Sequence, residues 1–342
     1  GAIVYRQSGT DLIWVGAAIS SFGFTINLDF LKKAGLPTPN RWSDLSNETY
    51  AKTLPIPSVA TADPIVSTSN ERIFEIIIQA YGWEEGWKIV TLMAANARMY
   101  DESGLVRDAA IRGDVGISTT IDFYGYQAII ANPDLCKYVV PVDGSIVNAD
   151  PIALLTSSKH RAEAMAFIAW VLDYNGGQKI WVLPKVNRMP IDGRVFSTPE
   201  GANRTDLKIA FENTAKATSI NFSDDLVAKY RESLQWYYYA TISKPHDKLQ
   251  QTWEALALAR LQGKIRQEDF ARLVDLMTDP SLLRFTDPAT NKSVIFSESF
   301  AISARDTIYG SVDYRSKITK AWYEAALTRY DAILTELKKL GV

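Results

Sequence analysis

The chain has 342 residues, of which 47% are hydrophobic and 22% are charged, and its formal net charge is −2. This balance excludes a disordered chain, and the length allows two domains with sizeable cores. Lysine and arginine are scattered rather than clustered, so we expect no nucleic-acid partner. The single cysteine, Cys136, excludes internal disulfides, and no apolar run has the length of a membrane span.

Short β-rich runs alternate with helical patterns over the first two hundred residues. We predict strands at 13–20, 22–27, 115–121 and 137–142, and another strand, or the end of one, at 153–158. We predict helices at 28–36, 70–82, 84–96, 106–112, 125–132 and 160–174. This alternation predicts an α/β fold with mostly parallel sheets.

Helical patterns dominate the rest of the chain. We predict helices at 206–217, 223–241, 245–262, 266–277 and 313–339, and one strand at 292–296. Their apolar stripes predict that they pack on the α/β part of the molecule. The chain therefore ends in a large all-helical region.

Hydroxyl and amide side chains mark the start of the helix predicted at 70–82. They are Ser67, Thr68, Ser69 and Asn70. A helix start exposes unpaired N–H groups and a partial positive charge, so hydroxyl-rich residues there can hold an anion. The same residues can instead cap the helix and bind nothing else. The sequence leaves both interpretations open.

A second polar block follows the strand predicted at 115–121. It contains Asp122, Tyr124 and Tyr126, and loops at the carboxyl ends of strands are where α/β sheets bind ligands. Two phenols and a carboxylate could coordinate a hard cation or line a polar cleft. The tyrosines could equally be packing residues of the next helix.

The chain offers little for catalysis. Its two histidines, His160 and His246, both fall at predicted helix starts, and no nucleophile-elbow, metalloprotease, phosphate-loop or dinucleotide motif occurs. We therefore predict a protein that is not an enzyme.

A series of motifs occurs in an order typical of one protein family. In chain order they are Asn27, Asp29, Leu31, Lys33, Gly35, Leu36, Pro39, Trp42, Asp44 and Leu45, then AYGWEEGW, RGDVGIS, DFYGY and NRMPIDGRVF. Over roughly residues 12–200 the sequence resembles the extracellular solute-binding proteins of ABC importers, in their iron(III)-type, family 1 branch.

The resemblance implies an α/β, two-lobed type II periplasmic-binding-protein-like fold with a large C-terminal all-helical extension. Residues 1–27 and 146–205 would belong to the first lobe, 28–145 would form the second, and 206–342 would pack on the first. Hinge strands near 18–24 and 146–154 would let the cleft close on a solute.

The resemblance also implies a set of ligand-binding residues. By position, these are Ser20, Ser21, Ser67, Thr68, Ser69, Asp122, Tyr124 and Tyr126, with Tyr124 and Asp122 as ligands of a bound iron(III) or other metal ion. Iron-binding members carry two adjacent tyrosines, whereas this chain has Phe123 before Tyr124. This departure favours a phosphorylated or carboxylated organic anion.

The implied role is a receptor that delivers a small anionic solute or metal–anion complex to the membrane permease of an ABC importer. Such a protein would be extracytoplasmic, in the periplasm or at the cell surface, and tethered to the membrane. Because family members carry further residues in the first lobe, we expect a missing segment or a separate chain to supply them. The alternative is a surface-attached enzyme or interaction module whose helical region, 206–342, carries the function.

Overall fold

The computed structural model describes residues 5–216 and 219–342, with the backbone alone at 215 and 216, so the ends of the ranges predicted at 1–27 and 206–217 lie outside the described residues. The strands are β1 (Tyr5–Ser8), β2 (Asp11–Asn27), β3 (Val59–Ala62), β4 (Ala97–Tyr100), β5 (Ile117–Ile121), β6 (Cys136–Val139), β7 (Val147–Ile152), β8 (Met189–Pro190), β9 (Arg284–Thr286) and β10 (Ser293–Ile295). The helices are α1 (Leu28–Ala34), α2 (Thr68–Tyr81), α3 (Trp83–Ala95), α4 (Ser103–Arg112), α5 (Asp122–Ala131), α6 (Arg161–Leu172), α7 (Gln178–Trp181), α8 (Pro199–Ala202), α9 (Thr205–Lys216), α10 (Asp224–Tyr238), α11 (His246–Leu261), α12 (Gln267–Thr278), α13 (Glu298–Gly310) and α14 (Val312–Lys339).

β2 is one strand of 17 residues where the sequence predicts two. Its first half pairs with β1, β7 and β8, and its second half pairs with β5 and β6, all antiparallel. The strand continues through Ser21, which pairs with Val147 of β7 and whose backbone N–H donates a hydrogen bond to Asp122. β2 therefore connects two sets of strands, as a hinge strand must.

β7 is the other strand predicted to cross between the lobes. It spans Val147–Ile152, within the predicted hinge at 146–154, but the strand or strand end predicted at 153–158 is wrong. The sequence favoured the apolar run after residue 152, whereas pairing with β2 decides where the strand forms.

β3 lies between β4 and β5 and runs parallel to both. All residues of β3 and β5 are buried, as expected for strands covered on both faces. The apolar faces of α2 and α3 supply fully buried side chains to this core, among them Ile73, Phe74, Trp87 and Val90. The amphipathic stripes of these two helices predict this packing.

The C-terminal helices pack on α2 and α3. A cluster of aromatic side chains joins the two regions. The ring centroids of Trp83 and Tyr230 are 5.5 Å apart, and those of Trp87 and Tyr237 are 4.9 Å apart. The ring centroid of Phe296 lies within 6 Å of those of both tryptophans. This differs from the expectation that residues 206–342 pack on the first lobe. α9 packs on the predicted first lobe, through Leu207, whereas α11 and α12 contact α3.

Two features of the helical region were not predicted. α13 is absent from the predicted helices because its buried side chains, Ala301, Ala304 and Ile308, form only a weak apolar stripe. β9 was not predicted either, although its partner β10 was, at 292–296.

α6 has an apolar face that the described residues leave open. It has the predicted position, yet Met165, Phe167 and Trp170 are 52%, 57% and 46% exposed, and Val171 is its one buried residue. Large apolar side chains this close together on a surface usually mark a contact with another polypeptide.

Candidate functional site

Three helices begin at one edge of the parallel sheet. β3 leads into α2, β4 into α4 and β5 into α5, and because the three strands are parallel, these starts lie on the same side. We call this region the helix-start edge. Each helix start contributes unpaired N–H groups and a partial positive charge, so the edge attracts anions.

Three serine hydroxyls meet where α2 and α4 begin. The Oγ of Ser103 lies 2.6 Å from the Oγ of Ser67 and 2.8 Å from the Oγ of Ser69. These three residues form what we call the hydroxyl cluster. Ser67 also caps α2, since its Oγ accepts a hydrogen bond from the N–H of Asn70, and Thr68 is exposed beside it. Ser67 is itself buried, so in the predicted block Ser67 caps the helix, while exposed Thr68 and half-buried Ser69 carry the accessible hydroxyl groups.

Asn70 fixes the hydroxyl cluster from its buried side, between Ser67 and the strands of the sheet. It is fully buried, and its Nδ2 donates to the Oγ of Ser67 over 2.9 Å. Its Oδ1 accepts hydrogen bonds from Thr61 on β3 and Thr119 on β5. Two strands of the sheet thus fix the orientation of Ser67.

Arg107 connects the hydroxyl cluster to Tyr124. It follows Ser103 by four residues on α4, so the two side chains share one face of that helix. Its guanidinium carbon lies 5.0 Å from the ring centroid of Tyr124, and its Nη1 donates to Gln127 on α5 over 2.8 Å. Tyr124 is half-buried, so a cation and a phenol border the same edge.

Arg188 approaches the start of α5 from the other set of strands. It directly precedes β8, which pairs with β2, and its guanidinium carbon lies 4.4 Å from the ring centroid of Phe123. It forms an ion pair with Asp150 and donates to the Oγ of Ser20 over 3.3 Å. Ser20 is buried, so this predicted site residue positions Arg188 rather than facing a cleft.

Asp122 and Ser21 lie elsewhere than expected. Asp122 is buried, and its carboxylate accepts hydrogen bonds from the N–H and Oγ of Ser21 and from the N–H of Phe123. Burial raises the pKa of Asp122 to about 7, while these hydrogen bonds and the charge of Arg188 act against that rise. Because the carboxylate of Asp122 accepts these hydrogen bonds inside the protein, Asp122 and Ser21 join α5 to β2.

Tyr126 lies away from the helix-start edge. It follows Tyr124 by two residues, so the two phenols point to different sides of α5. Its ring packs 5.3 Å from that of Tyr138, and it lines a cavity of about 510 Å³ between α5, β6 and α9. The structure does not bring Tyr124 and Tyr126 together.

These positions bear on the predicted metal site. The carboxylate of Asp122 is engaged internally and Tyr126 is separate, which leaves Tyr124 as the predicted ligand at the edge. Within residues 5–216 and 219–342, no group of three or more His, Cys, Asp or Glu side chains is arranged to hold a metal ion.

Sequence reasoning missed Ser103, Arg107 and Arg188. A usable signal existed for the first two, because Ser103 and Arg107 are four residues apart in a helix that follows a strand. Arg188 had no such signal, since the pairing of β8 with β2 brings it to α5 from 65 positions away in the sequence.

A long strand that connects two sets of strands, together with a helix-start edge at the carboxyl ends of parallel strands, is typical of two-part α/β binding proteins. The sequence profile of the family described as bacterial extracellular solute-binding protein matches residues 5–211. The chain therefore belongs to this family, as the motifs predicted. Membership indicates a location outside the cytoplasm. Among the described helices, none is both long and apolar enough to cross a membrane.

Individual relatives are more distant. The phosphoglycerate transport regulatory protein PgtC of Salmonella typhimurium is 26% identical over 251 residues, which are 73% of this chain and 59% of PgtC. The chain therefore spans about three fifths of the length of this relative.

Solved structures show the same fold. The periplasmic binding protein AfuA of Actinobacillus pleuropneumoniae, with fructose-6-phosphate bound, has a TM-score of 0.54 at 16% identity and covers 66% of this chain and 67% of its own. The periplasmic binding protein P5PA has a TM-score of 0.51 at 17% identity, with 66% and 68% covered. These likenesses confirm the predicted fold class.

Proposed function

We propose that this chain is the solute-binding component of an ABC-type importer, which captures a small organic anion at the helix-start edge and passes it intact to a membrane permease. One observation carries the proposal: three helix starts, the hydroxyl cluster and two arginines, Arg107 and Arg188, converge on one region. Each of these elements favours negative charge.

The phosphoryl group is the anion that fits this region best. It offers several acceptor oxygens, and the hydroxyl cluster and Arg107 offer several donors next to the starts of α2 and α4. The name of the chain's relative PgtC, phosphoglycerate transport regulatory protein, supports the same solute class.

An iron(III)–anion complex is the weaker alternative. Iron(III) would need hard oxygen ligands, and Tyr124 is the predicted ligand that borders the edge. Because Asp122 already accepts three hydrogen bonds inside the protein, it would have to break them to bind a metal.

The function is binding without chemistry. His246 is half-buried at the start of α11, where its ring nitrogen lies 3.0 Å from the carbonyl oxygen of Ala94, and His160 is exposed before α6. The helices from α10 onward contribute buried side chains to the same apolar core as α2 and α3. That packing favours a supporting role for the helical region over the enzyme or interaction module considered as an alternative.

A further polypeptide covers α6 in the complete receptor. Met165, Phe167 and Trp170 together form an apolar surface of a kind that soluble proteins normally bury. Either the same protein or a separate chain could supply the covering segment. The other partner is the membrane permease, to which the receptor delivers its solute.

A binding panel with one matched pair of variants tests the proposal. Thermal shift and calorimetry would compare inorganic phosphate, 3-phosphoglycerate, citrate, maltose, spermidine and iron(III). We expect an anion to raise the melting temperature, and Arg107→Gln to weaken its binding by roughly 10- to 100-fold, because a charged hydrogen-bond donor is lost.

The control is Arg112→Gln, in the last turn of the same helix, where the side chain is 52% exposed and pairs with Asp114. This change should leave affinity within about 2-fold. The proposal fails if no anion stabilises the protein, or if the two variants behave alike. Stabilisation by iron(III) alone would instead favour the metal complex.

A further inference from the structure

Four side chains form a row across the start of α5. The guanidinium carbon of Arg188 lies 4.4 Å from the ring centroid of Phe123, and the ring centroids of Phe123 and Tyr124 are 4.3 Å apart. The guanidinium carbon of Arg107 lies 5.0 Å from the ring centroid of Tyr124. Because Arg107 belongs to α4 and Arg188 precedes β8, the row crosses from one set of strands to the other.

Both arginines in the row are suited to oxyanions. A guanidinium packed on a ring keeps its N–H groups in its own plane, where they can bind carboxylate or phosphoryl oxygens in pairs. In Arg188 the Nε atom is buried without a hydrogen-bond partner among the described residues. An oxyanion that binds here and reorients the guanidinium of Arg188 would accept a hydrogen bond from this Nε.

The two ends of the row differ in their surroundings. Arg107 lies one helical turn from Ser103, so the hydroxyl cluster and the starts of α2 and α4 are beside it. Each arginine already has an aspartate partner, Asp108 for Arg107 and Asp150 for Arg188, and no hydroxyl cluster lies beside Arg188 among the described residues. Because the first end has the additional hydroxyl and N–H donors, it suits a phosphoryl group with its larger number of acceptor oxygens, and the second end suits a carboxylate.

We infer that the solute carries an anionic group at each end, with a phosphoryl group held by the hydroxyl cluster and Arg107, a carboxylate held by Arg188, and a short body lying over Phe123 and Tyr124. The inference rests on the proposed function and extends it, because it makes Arg188 the residue that selects for the carboxylate.

Two probes that differ in the carboxylate alone test this assignment. 3-Phosphoglycerate has a phosphoryl group and a carboxylate, whereas glycerol 3-phosphate has a hydroxymethyl group in place of the carboxylate. Calorimetry on the full chain should show tighter binding of 3-phosphoglycerate. Arg188→Gln should lower the affinity for 3-phosphoglycerate by roughly 10- to 100-fold and change the affinity for glycerol 3-phosphate by less than about 3-fold. Arg107→Gln should weaken both probes.

Arg194→Gln is the matched control. Like Arg188, Arg194 pairs with an aspartate, Asp192, and lies over a ring, 4.6 Å from that of Tyr174, but its side chain is 70% exposed. The Arg194→Gln variant should bind 3-phosphoglycerate and glycerol 3-phosphate with unchanged affinity. Equal binding of the two probes, or an equal effect of Arg188→Gln on both, would overturn the inference while leaving the proposed function standing. If neither probe binds, the proposed phosphoryl site fails and the inference fails with it.

Discussion

At the scale of single residues, Ser67 combines two tasks at the start of α2. Its Oγ accepts the N–H of Asn70, which is the hydrogen bond of a helix cap, and it also lies 2.6 Å from the Oγ of Ser103. The cap bond therefore also helps to order the hydroxyl cluster, where we propose that the anion binds. A hydroxyl fixed by a helix is better placed to receive a solute than one that must be ordered on binding.

Replacing Ser67 should reduce stability and binding together. Ser67→Ala removes the cap of α2, so we expect a loss of about 1 kcal/mol in the free energy of unfolding. It also removes one member of the hydroxyl cluster, so anion affinity should fall. Urea denaturation and calorimetry measure the two effects.

Ser223→Ala separates the two effects of the Ser67 change. Ser223 caps α10 in the same way, by accepting the N–H of Leu226 over 3.1 Å, but it lies outside the hydroxyl cluster. This variant should lose similar stability and keep its affinity. Loss of affinity in both variants would mean that destabilisation alone explains the result for Ser67.

Glu71 and Glu75 form a buried acidic pair between α2 and α10. The Nε of Arg231 lies 3.2 Å from an oxygen of Glu71 and 3.0 Å from an oxygen of Glu75. Arg72 also pairs with Glu75, and Gln235 donates to Glu71. Burial, then the charge of Glu75, raises the pKa of Glu71 to about 7, while Arg231, Arg72 and Gln235 act against the rise.

This raised pKa predicts the direction of a pH effect. Between its ordinary pKa of 4.5 and about 7, the folded chain holds a proton on Glu71 that the unfolded chain has released. The contribution to stability is therefore full below pH 4.5 and is lost as the pH rises through 7. In Glu71→Gln, denaturation curves between pH 5 and 8 should show a shallower decline, by at most about 1 kcal/mol per pH unit.

Glu84→Gln serves as the control for the pH effect, since Glu84 is exposed in the first turn of α3. It should leave the pH dependence unchanged. Some decline should persist in Glu71→Gln, because the pKa of Asp122 is also raised to about 7 by burial. Identical slopes in the wild type and Glu71→Gln would show that Glu71 does not titrate in this range.

At the scale of elements, the sequence predicted what a local pattern can reveal. α2 and α3 have clear apolar stripes, and Gly35 ends α1 in a left-handed conformation, so their bounds were predicted to within two residues. β2 was split in two because hydroxyl and glycine residues in its middle resemble a break. Its continuity comes from hydrogen bonds with five other strands, which no local pattern contains.

The candidate site shows the same division. Ser67 and Ser69 were predicted from a run of hydroxyl residues before a helix, and the structure brings them to Ser103. Arg188 was missed because its place depends on the pairing of β8 with β2. Asp122 was correctly placed at the start of a helix, but the direction of its carboxylate depends on Ser21, 101 residues earlier.

At the scale of the whole molecule, the parallel strands β3, β4 and β5 with their helices and the C-terminal helices share one core. Trp322 on α14 is fully buried. Its ring centroid lies 5.4 Å from that of Tyr237, 5.3 Å from that of Phe296 and 5.8 Å from that of Phe285. Trp87 on α3 contacts the same tyrosine and Phe296. The helical region is therefore continuous with the part of the molecule that carries the hydroxyl cluster.

Removing the Trp322 side chain should consequently weaken both regions together. Trp322→Ala leaves a large cavity in the shared core, so we expect a loss of about 3–5 kcal/mol in the free energy of unfolding. Hydrogen exchange should become faster in α2 and α3 as well as in α14, since one cooperative unit opens as a whole. Trp170→Ala on α6 is the comparison, because Trp170 is 46% exposed and its loss should change stability by less than about 1 kcal/mol. Faster exchange confined to the helices from α10 onward would show that the helical region unfolds by itself, and its packing on α2 and α3 would then not hold the helix-start edge in place.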